Sequence, residues 1–338
     1  MTTSRESSPS VLVVVVNYRS AGLTIDCLDS LAAEVAAWPR ARVVVVDNAS
    51  GDDSMDRLRA TVAERGWTRW VSLLPSPSNG GFAAGNNLAI VSALAGQNAP
   101  DFLWLLNPDT LIHRGALSEL ASFLQSSPEV GLVGSRIEGA DGELHPSAFR
   151  FPSVRGEIEN GFRLGLLSRL LERWVVAPAP PIEARRVDWV SGASLMVRRE
   201  VFETIGCLDE GYFMYYEEVD FCRRAALAGW TCWYVPTSRV VHLVGGASES
   251  GPGRAHRRRM PAYWFASRRR YFLTHKGKAR TFLADLGWAS GFLTFRLRQR
   301  LQKKADTDPP RFLRDFVSRN VRLWFRGEER GHSRMALS

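Results

Sequence analysis

Three acids crowd into four positions at Glu217, Glu218 and Asp220, directly behind the aromatic run Tyr212-Phe-Met-Tyr-Tyr216. Packed carboxylates repel one another, so the cluster is costly unless one acid is solvated and another is paired, with Arg223 or Arg224 in reach. On a helix, Glu217 and Asp220 share a face while Glu218 turns about a hundred degrees away. An acid at a helix N-terminus beside aromatic walls can take the proton of a hydroxyl; the same acids also complement the helix dipole with no chemistry at all. Asp109, held by Pro108 behind Phe102-Leu-Trp-Leu-Leu106, could join a hard cation to a diphosphate, or could cap a short helix opening at Thr110-Leu111. His242 precedes the glycine-bearing Leu243-Val-Gly-Gly-Ala-Ser248 and reads either as a metal ligand or as a partly buried hydrogen-bonder.

Two further stretches could meet a nucleotide. Asp47 ends the run Val43-Val-Val-Val46, where a carboxylate can accept from the N–H edge of a pyrimidine or from a ribose; with Asn48 it equally caps a turn. Asn79-Gly80-Gly81-Phe82-Ala-Ala-Gly85-Asn86-Asn87 sets glycines and asparagines between a strand and a helix, letting backbone N–H groups approach a phosphate or ribose. Its spacing is neither G-x-G-x-x-G nor that of a P-loop.

The elements that must hold these residues are legible from periodicity. Val11–Val16 and Val43–Val46 are β-branched runs suited to strands buried on both faces, and Leu23, Cys27, Leu28, Leu31 and Val35 recur between them at helical spacing. Further strands are expected at Trp70–Leu74 and Phe102–Leu106, and a helix at Asn86–Leu94. Each strand delivers polar residues at its carboxyl end, where ligands bind in an open α/β sheet. The pattern weakens from Gly142 to Arg186, with Ala177–Pro181 a loop. It resumes as a strand at Val187–Val197, helices at Arg199–Ile205 and Glu217–Ala228, and a strand at Thr231–Val235.

The 338 residues are 45% hydrophobic and 23% charged, which excludes a disordered, collagen-like or disulfide-framed chain. Cys27, Cys207, Cys222 and Cys232 lack metal-ligand spacing, pointing to a reduced, cytoplasmic setting. No run of eighteen apolar residues predicts a membrane-spanning helix. The net charge of +9 is uneven: residues 254–338 hold 22 Lys/Arg against 6 Asp/Glu, and residues 1–253 hold 22 against 29. Cations interleave there with Tyr263, Trp264, Phe265, Tyr271, Phe272, Phe282, Leu283, Leu286, Phe292, Leu293, Leu313, Phe316, Val317 and Trp324. Such spacing predicts amphipathic helices, broken near Lys303–Pro310, that lie on an anionic membrane or pack on the rest of the chain. A rival reading, nucleic-acid binding through Arg257–Arg259 and Arg268–Arg270, is less favoured; a dehydrogenase is opposed by the missing G-x-G-x-x-G.

Taken in order, Asn17-Tyr18, Asp47-Asn48-Ala-Ser50, Asn79-Gly-Gly-Phe82 with Gly85-Asn86-Asn87, Asn107-Pro-Asp109, Ser191-Gly-Ala193, Phe213-Met-Tyr-Tyr-Glu-Glu218-Val-Asp220 and His242 resemble glycosyltransferase family 2. These are inverting GT-A enzymes, and the match is to their bacterial rhamnosyltransferase-like branch. The resemblance implies an α/β, Rossmann-like, mixed and mostly parallel sheet flanked by helices. It implies a flexible 1–10, a catalytic domain at 11–250 with a nucleotide-binding half (11–140) and an acceptor half (141–250), and a basic helical extension at 251–338. Asp47 would then contact the donor base, and Asn17, Asn48, Asn79, Gly80, Gly81, Phe82, Asn86, Asn87 and Asn107 would line the donor pocket. Asp109 and His242 would hold Mg2+ or Mn2+. Glu218 stands where the family has the Asp that serves as base, and this departure leaves Glu217 and Asp220 as candidates beside it. The implied partners are a nucleoside-diphosphate sugar, dTDP-L-rhamnose or a UDP-sugar, and a glycan or polyprenyl-diphosphate-linked acceptor. The implied setting is the inner face of the plasma membrane, with a homodimer as a further option and no specific nucleic acid.

Overall fold

The structure, a computed structural model, describes residues 8–243 and 259–326, with side chains as far as Asn320. Most of the expected flexible terminus, residues 244–258 with Arg257 and Arg258, and the Trp324 side chain lie outside the described residues. Two compact units result: residues 8–152 with 175–243, and residues 153–174 with 259–326.

The first unit begins β1 (Val11–Asn17), α1 (Ala21–Ala37), β2 (Ala41–Asp47), α2 (Ser54–Glu64), β3 (Val71–Pro75), α3 (Gly81–Leu94) and β4 (Phe102–Leu106). All seven residues of β1 and all five of β4 are buried, as β-branched and large apolar side chains covered on both sheet faces must be. The helix expected at Asn86 starts five residues earlier, so the glycine-rich stretch forms the first turns of α3. Next come β5 (Thr110–Ile112), α4 (Ala116–Ser126), β6 (Val130–Glu138), β7 (Leu144–His145) and β8 (Ala148–Phe149). Thr110-Leu111, a candidate helix start, is thus an edge strand, because its backbone pairs with a segment more than a hundred residues away. The start of α4 is capped from afar: buried Glu34 accepts from Gly115 N (2.7 Å) and Leu117 N (2.9 Å).

After α5 (Val154–Phe162) and α6 (Gly165–Leu170) of the second unit, the first resumes with β9 (Arg185–Val187), β10 (Trp189–Val190), β11 (Ser194–Arg198), α7 (Arg199–Ile205), α8 (Glu217–Leu227) and β12 (Thr231–His242). The strand expected at Val187–Val197 is therefore three pieces, since Ser194 N turns back onto Ser191 O around Gly192. The main sheet runs β3-β2-β1-β4-β11-β6-β12-β5. β3, β2, β1 and β4 are mutually parallel; β11 is antiparallel to both β4 and β6, and β12 parallel to β6.

The second unit is helical, and its residues 153–174, expected in the acceptor half, pack instead with α9 (Ala262–Leu301) and α10 (Phe312–Arg326). α9 is two helices joined across a kink at Gly277, whose φ of 77° only glycine adopts without strain. Phe265, Trp288, Phe292 and Phe316 form its core, with the rings of Trp288 and Phe292 stacked 4.8 Å apart. These aromatics, together with Tyr271 and Phe272, belong to a protein interior and not to a lipid-facing surface. Small residues let α5 and α9 touch backbone to backbone: a Cβ on Gly161 would lie 2.6 Å from Trp288 O. Arg268, 2% exposed, joins Glu157 (2.7 Å) and Asp285 (2.6 Å). Arg268→Ala would leave two carboxylates buried without their shared cation, so the second unit should lose about 3–5 kcal/mol of stability. Urea unfolding followed by tryptophan fluorescence measures the loss.

Candidate active site

The carboxyl ends of β1 and β2 are tied by one polar knot. Asn17 Nδ2 donates to Asp47 Oδ1 (2.7 Å) and to Ser50 Oγ (3.2 Å), while its Oδ1 accepts from Ser20 Oγ (3.1 Å) and Thr24 Oγ1 (2.9 Å). Ser50 reinforces the turn by donating its hydroxyl to Asp47 Oδ1 (2.5 Å) and its amide to Oδ2 (3.2 Å). Asn17 has spent its amide on its neighbours, so it acts as a brace that aims Asp47. Ser50 is the partner that reading residue by residue passed over, although its place three positions after Asp47 lets its amide and its hydroxyl both reach back to that carboxylate.

A second knot fixes the start of α3. Asn48 Nδ2 donates to Asn79 Oδ1 (2.9 Å) and Gly81 O (3.0 Å), and Asn79 Oδ1 also accepts from Gly81 N (3.0 Å). Phe82 N donates to Phe213 O (2.9 Å). Two of the first amides of α3, expected to face a phosphate, are therefore used inside the protein. Asn87 bridges from α3 to the loop before α8: it donates to Leu208 O (2.9 Å) and Glu210 Oε1 (2.9 Å) and accepts from Leu208 N (3.1 Å). Asn86 donates to Phe82 O (2.9 Å), and its buried Oδ1, like that of Asn48, has no partner. Those two oxygens are the buried side-chain atoms of this stretch left without a hydrogen bond.

Next to β1, β4 leads into Asn107 and Asp109, and β12 ends in His242, paired in register with Thr110 of β5. His242 Nε2 lies 3.1 Å from Asp109 Oδ1 and 3.2 Å from Asn107 Nδ2. A carboxylate, an imidazole and an amide thus converge on one point. Among the described residues, no group of three or more His, Cys, Asp or Glu side chains gathers to hold a metal.

The three acids separate as helix geometry requires. Asp220 accepts from Arg224 Nε (2.8 Å), whose other nitrogens donate to Ile205 O and Cys207 O, so this acid anchors α8 and is unsuited to be a base. Glu217 and Glu218 each bury a carboxylate oxygen with no hydrogen-bond partner. Burial, then the neighbouring Glu218, drives the Glu217 carboxyl well above the ordinary range, and burial pushes Glu218 up to about 7. A Cβ placed on Gly192 would meet Glu218 Cγ and the Phe82 ring at 3.7 Å, so β11's entry, α3 and α8 share this spot. Tyr215 and Tyr216 both take left-handed φ, 68° and 70°, to turn the chain into α8.

Residues 9–271 match the family described as Glycosyltransferase like family 2. The chain belongs to glycosyltransferase family 2. Among its relatives in this family, the N-acetylglucosaminyl-diphospho-decaprenol L-rhamnosyltransferase of Mycobacterium tuberculosis is 35% identical over 184 residues, 51% of this chain and 58% of that protein. A low-salt glycan biosynthesis hexosyltransferase of Haloferax volcanii is 31% identical over 217 residues, 63% of this chain and 60% of that one. The chain thus spans about 60% of the length of these curated relatives. A solved mannosyltransferase of Pyrobaculum calidifontis, in complex with GDP-Man and Mn2+, superposes with a TM-score of 0.55 at 18% identity, covering 94% of this chain and 81% of that one. At that identity the likeness is one of fold: a GT-A-like mixed sheet flanked by helices.

Gly81 is where α3 comes closest to the loop that precedes α8. Its φ is +82°, and a Cβ would lie 1.8 Å from Phe213 O. Gly81→Ala must therefore push away the loop that leads to Glu218, and should cost about 2–4 kcal/mol of stability, read by denaturant unfolding.

Proposed function

We propose that the protein is an inverting glycosyltransferase that carries a sugar from a nucleoside-diphosphate donor to an acceptor hydroxyl, with Glu218 as the base. The observation that carries this reading is the buried, partnerless carboxylate oxygen of Glu218 at the head of α8, beside Gly192 and Phe82. A carboxyl raised to about 7 is substantially ionised at neutral pH yet still binds a proton well, the balance a general base needs. The acceptor oxygen attacks the anomeric carbon as that carbon's bond to the diphosphate oxygen breaks. The hydroxyl proton passes to Glu218, the bonding pair leaves with the nucleoside diphosphate, and the anomeric configuration inverts. Burial and the neighbouring Glu218 favour the neutral form of Glu217 beside it, and Asp220 fixes the helix through Arg224.

The donor we favour is dTDP-L-rhamnose and the acceptor a lipid-linked or growing cell-surface glycan. Support comes from the mycobacterial relative, named for L-rhamnosyl transfer and for a decaprenol-linked diphosphate. Asp109 and His242 would hold a divalent cation, Mg2+ or Mn2+: a hard carboxylate and an imidazole aimed at one point suit such an ion. Bound there, the ion would neutralise charge gathering on the leaving diphosphate. With two such protein ligands in place, the remaining positions fall to donor oxygens and water, so ion and donor are expected to bind together. The region carrying these residues is net acidic, which makes the ion the main source of positive charge.

Glu218→Gln should lower turnover by about a hundredfold to ten-thousandfold, and the wild-type rate should rise as pH climbs through about 7, where the carboxyl ionises. Release of nucleoside diphosphate from a panel of dTDP- and UDP-sugars measures both; wild-type turnover by Glu218→Gln removes it as base. For the ion, Mn2+ with dTDP should give a bound paramagnetic signal that Asp109→Ala abolishes. An unchanged signal in that variant would refute the assignment.

A further inference from the structure

Packing of the second unit leaves one side of α9 outside its core. Beyond Gly277, Leu283, Leu286, Leu293, Leu297 and Leu301 are each between 51% and 85% exposed. At about 100° per residue they fall within an arc of about 80°, and at about 1.5 Å per residue they run about 27 Å along the helix. Scattered apolar side chains on a surface need no explanation; a continuous one-sided row of five leucines does. The opposite face of the same helix supplies Trp288 and Phe292 to the core, so the sequence has specified two apolar sides, of which the described residues cover one.

Charge is distributed around this row with one sign. Lys278 and Arg280 are exposed ahead of it, and Arg300, Lys303 and Lys304 are exposed at its end. Asp285, the sole acid of α9, is buried against Arg268, and the acid at Asp306 is bound to Arg296. No helix among the described residues is long and apolar enough to cross a membrane. A helix with a leucine stripe, cationic ends and no exposed acid on that stripe has the form that settles in the plane of an anionic bilayer interface.

We propose that α9 rests on an anionic lipid surface through Leu283, Leu286, Leu293, Leu297 and Leu301, with the flanking lysines and arginines on the lipid headgroups. The inference goes beyond the transfer reaction and stands on geometry separate from it. It also revises which tail residues meet lipid: Phe265, Tyr271, Phe272, Phe292 and Phe316 are interior, and Leu297 and Leu301 take their place.

Flotation of the full chain with phosphatidylcholine vesicles, with or without phosphatidylglycerol, tests it. The protein should float with the anionic vesicles and far less with the neutral ones, and added salt should weaken the association. Leu286→Glu with Leu293→Glu, both at exposed positions, should lower the partition coefficient about thirtyfold or more. Circular dichroism and sugar-nucleotide turnover should stay at wild-type values in that variant. Lys303→Glu with Lys304→Glu should weaken binding to anionic vesicles alone. Failure of the wild type to float, or unchanged flotation of the leucine variant, would overturn the proposal. So would a wild-type dimer in solution that the leucine variant converts to monomer while neither binds vesicles, since the row would then face a second copy of the chain. A wild-type chain that floats but turns over no sugar nucleotide would sink the catalytic reading and leave this one standing.

Discussion

One reversal of strand direction governs where everything else can sit. β11 enters the sheet antiparallel to both of its neighbours, so its first residues lie at the carboxyl ends of β4 and β6. Asn107 N donates to Ala193 O at that junction (3.1 Å), and Gly192 comes to rest beside Glu218 and Phe82. Had β11 run parallel, its entry would lie at the opposite end of the sheet, and Gly192 would not come to rest beside Glu218 and Phe82. Strand order alone would permit either arrangement; direction makes one polar end of the sheet.

Buried polar side chains in this unit divide into those that are fully engaged and those that are not. Asn17 and Asn87 spend both ends of their amides on the protein, which is the low-energy state of a buried amide. Asn48, Asn86, Glu217 and Glu218 each keep an oxygen buried and unmatched. An unmet acceptor costs about 1–3 kcal/mol, so each of the four is a strain that a hydrogen-bond donor from outside the protein would relieve. The fully engaged residues make that strain affordable by holding the turns rigid.

Much of the first half of this arrangement is legible in the chain. β-branched runs announce β1 and β2, and polar residues at strand ends announce the ligand edge, because both depend on neighbours close in sequence. What escapes is long-range. A three-residue edge strand such as β5 has no periodicity to read, and Thr110 looks like a helix start until its partner on β12 is known. Glu34, a residue of α1 that caps α4, gives no local sign. The basic tail misleads in the same way: aromatic and cationic residues at helical spacing fit a lipid surface and a protein core equally well. Arg268 shows which, since a guanidinium is buried only where two carboxylates wait for it.

The second unit is assembled from segments far apart in the chain, and this imposes an order in time. During synthesis α5 is complete about a hundred residues before the α9 segment that covers it has been made. Until then Ile158 and Phe162, which meet Gly287 and Gly291, have no surface to close on, and Glu157 has no guanidinium. The first unit can lay down its sheet through β12 while this helix waits. A nascent chain therefore carries an unfinished element through more than a third of these residues' translation, and the last helices act as the step that retires it.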